Sequence, residues 1–275
     1  MDQLSGKVAF ITGSAGGIGL GIARACAEAG MKVALADIDG AMLEHAGSEL
    51  SEAGAEVMTV PLDVTDRDGW ASAASEVPAT LGPVQLLVNN AGVSTLGLPF
   101  DEIDPELWDR VVAINLTGIY NGLHYFLPGM QAAGGGHIVN SSSVAGLGGV
   151  PRAAPYSATK FAITGLSESL RAELAESGIG VSVLCAGSVR TRLWRTSRAV
   201  RGLPDIDVPP PELLVGGSAD PSGMDPDEVG YRVVDAVLAN EAYVMTHPEL
   251  RAFVIQRHET LMRGFDRASE FRSHA

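Results

Sequence analysis

Lys7-Val-Ala-Phe-Ile-Thr-Gly-Ser-Ala-Gly-Gly-Ile-Gly19 is an apolar run that passes directly into a glycine-rich turn. The run over 7–11 predicts a buried strand, and the stretch 17–29, rich in alanine and isoleucine, predicts the helix that follows it. A glycine-rich turn between a strand and a helix suits the phosphates of a dinucleotide, because the helix dipole and its free N–H groups attract negative charge. This stretch therefore predicts both the fold class and a dinucleotide site.

The glycines of this turn have separate tasks. Gly13 permits the sharp turn, while Gly17 and Gly19 let the helix N-terminus approach a pyrophosphate closely. Ser14 and Ile18 complete the predicted cofactor contacts of the turn. The spacing is G-x-x-x-G-x-G rather than the commoner G-x-G-x-x-G, and a purely structural turn is the alternative.

Short apolar runs alternate with helical patterns along the rest of the chain. The runs are continuous rather than alternating in polarity, as expected when helices cover both faces of a sheet. This order predicts one α/β domain over residues 1–275, with a doubly wound, mostly parallel sheet flanked by helices, the Rossmann fold. The further predicted strands are 32–36, 56–60, 84–88, 137–141, 180–185 and 242–246, and the further predicted helices are 41–53, 66–80, 105–131, 156–177 and 227–240.

Three segments carry expectations of their own. The helix 105–131 is expected to break near Pro128. The region 192–226, dense in Pro, Gly and Asp from 202 onward, predicts a lid over the substrate, because long loops in compact domains are often lids; a mobile surface loop is the alternative. Residues 248–275 have apolar residues at helical spacing, which predicts a C-terminal helical extension packed on its own or a neighbouring subunit.

The composition argues against several functions. The formal net charge is −14, so the chain lacks the basic stripe that binds a nucleic-acid backbone, and no nucleic-acid partner is predicted. Neither a bilayer-spanning run nor room for a signal peptide is found, and two cysteines suggest no disulfide framework, so the expected location is the cytoplasm. The six histidines show no metal-ligand spacing, and no metal site is predicted.

The sequence Tyr156-Ser-Ala-Thr-Lys160 predicts proton-transfer chemistry. In a helix, Tyr156 and Lys160 lie one above the other on the same face. An ammonium within ~4–6 Å of a phenol is expected to lower the phenol's pKa by ~1–3 units from its reference value of ~10. Tyr156 would then exchange a proton with an alcohol or a ketone. Together with a dinucleotide site, the pair predicts hydride transfer.

Asp37 ends the second predicted strand, 18 residues after Gly19. An acidic residue at about this distance accepts hydrogen bonds from the adenosine ribose 2′-OH and repels a 2′-phosphate. Neither Ser14 nor Ile38, which we count among the cofactor contacts, supplies a cation for that phosphate. The sequence therefore predicts NAD, with NADP less favoured. A solvated turn aspartate, or Asp39 in its place, is the alternative.

Together these motifs resemble the short-chain dehydrogenase/reductase family, in the family's order and over residues 5–192. The resemblance implies an oxidoreductase on a single Rossmann-fold domain. The matching motifs are T-G-x-x-x-G-I-G at 12–19, Asp63 and Val64 where the family contacts adenine, the N-N-A-G turn with Asn90, Ala91 and Gly92, Asn115 in V-A-I-N-L, Ser143 at the usual 13 residues before Tyr156, and the Tyr156-x-x-x-Lys160 pair.

The resemblance also implies roles. Tyr156 would remove the alcohol proton in oxidation and donate it in reduction, and Ser143, rather than the neighbouring Ser141 or Ser142, would hold the substrate oxygen. Lys160 would bind the nicotinamide ribose as well as tune the tyrosine, and Asn115 would position a water that relays protons. These implications define catalytic candidates Ser143, Tyr156, Lys160 and Asn115.

After the sixth predicted strand the family usually has P-G-x-x-x-T, whereas this chain reads Ala186-Gly-Ser-Val-Arg-Thr191. Gly187, Val189 and Thr191 are implied to lie near the nicotinamide carboxamide. The proline is missing, and this bears on the rigidity of the turn.

The substrate is less clearly encoded. The expected pocket walls are mostly apolar, which favours a bulky or aromatic secondary alcohol or its ketone. Residues 242–250 resemble the ends of the family's aryl-alcohol members, including dehydrogenases of lignin-derived benzylic alcohols; hydroxysteroids and simple aryl ketones are the open alternatives. The expected walls are Ser94, Ala145, Leu147, Val150, Leu193, Trp194 and the lid.

Two broader expectations remain. The family usually forms dimers or tetramers through helices that correspond to 105–131 and 155–177, which implies a homodimer or homotetramer. A non-catalytic dinucleotide-binding regulator on the same fold is the alternative function, because a fold does not determine a function.

Overall fold

A seven-stranded sheet forms the centre of the computed structural model, which describes residues 3–95, 97–204, 206 and 222–273. Its strand order is β3-β2-β1-β4-β5-β6-β7, and every neighbouring pair is parallel. The predicted doubly wound parallel sheet is therefore confirmed. The strands are β1 Val8–Thr12, β2 Lys32–Asp37, β3 Val57–Pro61, β4 Val84–Asn89, β5 Gly136–Ser141, β6 Ile179–Cys185 and β7 Tyr243–Met245.

Helices cover both faces of this sheet. Successive side chains of β1 explain why: Ala9 and Ile11 pack into the core on one face, and Val8 and Phe10 pack into the core on the other. The α-helices of the described chain are α1 Gly17–Glu28, α2 Gly40–Glu52, α3 Arg67–Thr80, α4 Pro105–Val112, α5 Gly118–Ala132, α6 Ala154–Glu173, α7 Leu193–Val200, α8 Pro226–Ala239 and α9 Arg251–Ser273.

The order of the strands places a crevice at the carboxyl ends of the central strands of the sheet. The first three strands run outward from β1, and β4 then returns to pair with β1 on its other side. The turns that leave β1 and β4 therefore diverge to opposite faces, and ligands of doubly wound sheets bind at such a switch point, outside the carboxyl ends of the strands. The glycine turn after β1 and the turn after β4 both lie there.

The predicted helix 105–131 is interrupted, but not at Pro128. Residues Ala113–Thr117 form a π-helical turn between α4 and α5, and α5 continues past Pro128 to Ala132. Pro128 is exposed and sits ten residues into α5, where the helix absorbs the lost hydrogen bond. The expectation of a break near Pro128 is therefore wrong, and the irregular turn instead surrounds Asn115.

The predicted lid region 192–226 contains a helix that sequence analysis missed. Its first part is α7, which begins at Leu193 with Trp194 buried beneath it. Its far end is attached to the turn after β6 by a bridge between Val189 and Met224. Residue 205 and residues 207–221 lie outside the described residues, so the lid remains a prediction there.

The predicted C-terminal helix is present as α9. Its first turns pack on the domain. A Cβ added at Gly148 would lie 2.4 Å from the Phe253 ring, and the Arg257 guanidinium lies 5.0 Å from the centroid of the Phe161 ring. Farther along, Leu261, Met262 and Phe265 are exposed. Within the described residues, no helix is both long enough and apolar enough to span a bilayer.

Candidate active site

A cleft of about 510 Å³ opens at the carboxyl ends of β1, β2 and β4. Its volume lies within the usual ~300–1,000 Å³ of ligand sites. Most of the predicted cofactor contacts meet in it: the lining includes Gly13, Gly17, Ile18, Asp37, Ile38, Asp63, Val64, Asn90, Ala91, Gly92, Tyr156, Lys160 and Thr191.

The glycine turn has the geometry that the sequence predicted. Gly13 and Gly17 have φ of +66° and +53°, the left-handed region that favours glycine. A Cβ on Gly13 would come within 2.9 Å of the Ala91 backbone, and one on Gly17 within 3.1 Å of Thr191. At the N-terminus of α1, no side chain caps the free N–H groups and the first turn holds no carboxylate. Such a helix end fits an anionic pyrophosphate.

Four predicted cofactor contacts do not line this cleft: Ser14, Gly19, Gly187 and Val189. Ser14 is fully buried and its hydroxyl donates to the Ala36 carbonyl. Gly19 faces the turn itself, because a Cβ there would lie 2.1 Å from the Gly13 carbonyl oxygen. Both residues act in packing the turn rather than at its open side.

The Asn90 side chain fastens the turn after β4 to the glycine turn. Its amide nitrogen donates to the carbonyls of Thr12 and Gly13, at 3.0 and 3.3 Å, and its amide oxygen accepts from the Ser141 hydroxyl. The Thr12 hydroxyl accepts in turn from the N–H groups of Asn90 and Ala91. These bonds hold the carboxyl ends of β1, β4 and β5 together, so Asn90 shapes the cleft floor.

Asp37 lines the cleft at the carboxyl end of β2, where the sequence predicts contact with the adenosine ribose. One carboxylate oxygen accepts from the Ala15 N–H at 3.0 Å, and the other from the Asp39 N–H at 3.0 Å. Since each ionised oxygen accepts more than one bond, Asp37 still has capacity for a ribose hydroxyl. The Asp39 carboxylate caps α2 through the Met42 N–H. The alternative carboxylate is thus occupied by its own helix.

At the other end of the cleft, Ser143 lies beside Tyr156, and its hydroxyl donates to the Ala186 carbonyl at 3.4 Å. Ser143 follows β5, and its hydroxyl also accepts from the Ala145 N–H at 3.1 Å. The other two serines point elsewhere: the Ser141 hydroxyl donates to Asn90, and the Ser142 hydroxyl donates to the Lys160 carbonyl. Ser141 and Ser142 nevertheless line the cleft and Ser143 does not, so the role of Ser143 stays a prediction.

Lys160 is buried one helical turn from Tyr156, with its Nζ 5.4 Å from the centroid of the tyrosine ring. The ammonium donates to the Ser141 carbonyl at 2.7 Å. Burial lowers the pKa of Lys160 to about 8, because the charged form loses its hydration. The predicted stacking on one face of α6 is present.

The expected lowering of the Tyr156 pKa by Lys160 is wrong. Burial raises the pKa of Tyr156, because the phenolate loses hydration in this cleft, and the Ser143 hydroxyl beside it opposes that rise. The Lys160 ammonium donates instead to the Ser141 carbonyl. Ser143, rather than Lys160, is the residue whose contact favours the phenolate here.

Asn115 is fully buried in the π-helical turn and does not line the cleft. Its amide makes two hydrogen bonds to the Val93 backbone, of 2.8 and 2.9 Å, and a third to the Thr159 hydroxyl. These contacts connect the helix α4–α5 to the turn after β4 and to α6. A Cβ on Gly92 would lie 3.2 Å from the Asn115 amide oxygen and 3.7 Å from the Lys160 Nζ.

Sequence analysis named Leu193 in the wall contributed by the start of the lid region but missed its other members. One of them, Arg192, is exposed and donates to the sulfur of Met42, which also lines the cleft. The spacing of Leu193, Trp194 and Val200 would have indicated a short amphipathic helix. Further lining residues from this wall are Thr196, Ala199 and Val200.

The expected substrate walls are only partly at the cleft. Leu193 lines it, whereas Ala145 and Trp194 are buried. Ser94 is held by its N–H, which donates to the Ser197 hydroxyl of α7 at 2.8 Å. Leu147 and Val150 also lie outside the lining. Among the described residues, no group of three His, Cys, Asp or Glu side chains is placed to hold a metal ion.

Known proteins share this architecture. The family model for short chain dehydrogenases matches residues 7–202. A C alpha-dehydrogenase of Sphingobium sp. is 35% identical over 91% of this chain and 84% of its own length. A 3-alpha-(or 20-beta)-hydroxysteroid dehydrogenase of Mycobacterium tuberculosis is 38% identical over 69% of this chain and 71% of its own length.

Two solved structures show which kind of ligand this fold holds in similar proteins. A short-chain dehydrogenase/reductase from Burkholderia phymatum, in complex with NAD, has a TM-score of 0.86 and 33% identity, over 96% of this chain and 97% of that one. A metagenomic short-chain oxidoreductase, in complex with NADP, has a TM-score of 0.70 and 31% identity, over 88% and 96%. A nicotinamide dinucleotide is the ligand common to both.

Proposed function

The chain belongs to the short-chain dehydrogenase family of oxidoreductases, and we propose that it uses NAD to interconvert a secondary alcohol and a ketone. The observation that carries the proposal is that Ser143 lies beside Tyr156, with Lys160 one helical turn away, at one end of a cleft whose other end fits a dinucleotide. A protein that only binds a dinucleotide has no need for this arrangement.

Tyr156 transfers the proton in this proposal, at its phenolic oxygen. In reduction it donates to the oxygen that was the ketone, and in oxidation its phenolate takes the proton of the alcohol. Ser143 donates to the same substrate oxygen and stabilises charge that develops there. The bound dinucleotide accepts or supplies the hydride. Lys160 contributes positive charge beside the phenol and a donor for the ribose.

The protonation of the pair favours Tyr156 as an acid. Because burial raises the pKa of Tyr156, the phenol is protonated at neutral pH and ready to donate. Oxidation needs the phenolate, which the Ser143 hydroxyl favours. Since the pKa of Lys160 is about 8, Lys160 is charged at neutral pH and loses its proton in mildly alkaline solution.

NAD is the proposed cofactor, with NADP less favoured, on the strength of Asp37. Its carboxylate faces the adenosine end of the cleft and would repel a 2′-phosphate while accepting from a ribose hydroxyl. Arg192 is a cation at the same end, but its guanidinium is directed at the Met42 sulfur. The proposed preference for NAD over NADP therefore depends on the Asp37 carboxylate, which is held by hydrogen bonds, rather than on the exposed Arg192.

A bulky or aromatic secondary alcohol is the proposed substrate class. Support comes from the largely apolar wall of α7 and from similarity to a C alpha-dehydrogenase over 91% of this chain, which includes part of the C-terminal extension. The region 192–226 is proposed as the lid over this substrate. A hydroxysteroid is the competing substrate, because a hydroxysteroid dehydrogenase is similar over 69% of the chain.

The protein is proposed to act as a homodimer or homotetramer. Trp108 on α4 and Tyr120 on α5 are exposed by 38% and 52%, and Tyr120 stacks on His124. These aromatic side chains lie on the helices through which assembly was expected. Analytical ultracentrifugation at several protein concentrations tests it: a monomer throughout would contradict the proposal.

The experiment on function compares the unaltered chain with Tyr156→Phe, using absorbance of the reduced nicotinamide and a panel of aryl and alicyclic secondary alcohols. Tyr156→Phe is expected to lose at least ~10²-fold in turnover while binding NADH nearly unchanged. Tyr120→Phe is the matched control, since its phenol is exposed on α5. NADH binding with no turnover of any alcohol or ketone by the unaltered chain would favour the regulator instead.

A further inference from the structure

His247 lies directly after β7 and contacts the turn that follows β6. The Gly187 N–H donates to the His247 Nδ1 at 3.1 Å, and the His247 Nε2 lies 2.9 Å from the Ser188 carbonyl oxygen. A Cβ on Gly187 would come within 2.7 Å of the imidazole ring. The ring is thus seated against two consecutive peptide groups of this turn.

These partners assign a hydrogen-bonding role to each ring nitrogen of His247. A carbonyl oxygen only accepts, so the Nε2 bonded to Ser188 carries the proton, and an N–H only donates, so Nδ1 carries the lone pair. The Thr246 hydroxyl, 2.7 Å from Nδ1, lies on the same side. Both ring nitrogens of His247 are therefore engaged, Nδ1 as an acceptor and Nε2 as a donor.

The turn that His247 holds leads to the cofactor cleft. It runs from Ala186 to Thr191, and Thr191 both lines the cleft and limits the space beside Gly17. Where the family pattern has proline, this chain has Ala186, which leaves φ of that residue free. Two hydrogen bonds from outside the turn restrict the same backbone.

We propose that His247 is a positioning residue that holds the turn Ala186–Thr191 in the conformation that receives the nicotinamide half of the dinucleotide. This inference rests on the proposed function for the identity of the ligand. Gly187 and His247 form a matched pair in it, because any side chain at 187 would collide with the ring. His247 takes no part in proton transfer and does not line the cleft.

The same segment braces a second loop of the site. The short 3₁₀ turn Pro248–Leu250 follows His247 at once, and Phe253 at the start of α9 packs against Gly148, in the loop after Ser143. His247 and Phe253, six residues apart, thus contact the loops at the carboxyl ends of β6 and β5. The start of the C-terminal extension thereby helps to order the site from outside these loops.

The experiment measures NADH binding directly, by fluorescence titration, in the unaltered chain, His247→Phe, His247→Asn and His258→Phe. His247→Phe keeps a flat ring against Gly187 and removes both hydrogen bonds. His247→Asn keeps an acceptor near the Nδ1 position. His258→Phe alters an exposed histidine of α9 and is the control. Thermal unfolding of each variant is recorded alongside.

We expect the Kd for NADH to rise about tenfold in His247→Phe, the size of one or two net hydrogen bonds, less in His247→Asn and not at all in His258→Phe. The KM for the dinucleotide should rise in parallel while kcat at saturation changes little. An unchanged Kd in His247→Phe, with or without a lower melting temperature, overturns the inference. No binding of NADH by the unaltered chain would instead overturn the proposed function.

Discussion

Lys160 and Tyr156 share one face of α6, with the Lys160 Nζ 5.4 Å from the centroid of the tyrosine ring. The Lys160 ammonium is buried and donates to the Ser141 carbonyl. Burial makes this ammonium easier to deprotonate and lowers the pKa of Lys160 to about 8. The phenol is harder to deprotonate than in water, because the pKa of Tyr156 is raised. The proton balance of this pair sets the pH dependence of the reaction.

The first prediction concerns that pH dependence. Between about pH 6 and 10, kcat for alcohol oxidation should rise with pH as the small phenolate fraction of Tyr156 grows, whereas kcat for ketone reduction should change little, because the raised pKa keeps the phenol protonated. Steady-state kinetics in both directions measure this. An oxidation rate independent of pH would contradict the assignment of Tyr156.

The second prediction separates the serines that follow β5. Ser143→Ala should lower kcat by roughly 10²–10³, because a donor to the developing negative charge is lost. Ser141→Ala should change kcat by less than about threefold, because its hydroxyl bonds to Asn90 and its carbonyl still accepts from Lys160. Kinetics at saturating dinucleotide test the pair. Equal losses in both variants would show that the cleft was distorted rather than a donor removed.

The third prediction concerns cofactor choice. Asp37→Asn keeps an acceptor for the Ala15 N–H and removes the charge, so the preference for NADPH relative to NADH should rise about tenfold, equivalent to about 1.4 kcal/mol. Asp39→Asn is the control, since that carboxylate caps α2. Titration of both dinucleotides measures the ratio. If the NADPH-to-NADH preference changed more in Asp39→Asn than in Asp37→Asn, Asp39 rather than Asp37 would be the residue that selects the cofactor.

The fourth prediction concerns stability in acid. His137 on β5 is fully buried, its Nε2 bonds to Ser182, and burial lowers its pKa to about 3. The unfolded chain binds a proton below its reference pKa of ~6.5, and the folded chain does not do so until about pH 3. Stability from this group is therefore complete above about pH 6.5 and is lost progressively as the pH falls toward 3.

Urea unfolding at pH 7 and pH 5 tests this linkage. The free energy of unfolding should fall between pH 7 and pH 5 in both proteins. The fall should be about 2 kcal/mol smaller in His137→Gln than in the unaltered chain. His258→Gln, at an exposed position, should behave like the unaltered chain. An identical acid loss in His137→Gln and the unaltered chain would mean that His137 is protonated in the folded state.

Local patterns were sufficient for most of the fold. The continuous apolar run over Val8–Thr12 predicted a strand buried on both faces because its neighbouring side chains enter two different cores. The break in the helix 105–131 was misplaced because proline is a local signal, whereas the π-helical turn is held by bonds from Asn115 to Val93, a contact 22 residues away. The helix α7 was missed because its surroundings are rich in turn residues.

For the candidate site, the sequence by itself determined which residues come together. In a parallel sheet, the turns that follow neighbouring strands all lie at the carboxyl ends of those strands and therefore meet there. The four-residue spacing of Tyr156 and Lys160 places both side chains on one face of any helix. Only the tertiary structure decided their environment. Burial is a property of the packed molecule, so it alone raised the pKa of Tyr156, turned Ser14 inward and brought His247 against Gly187.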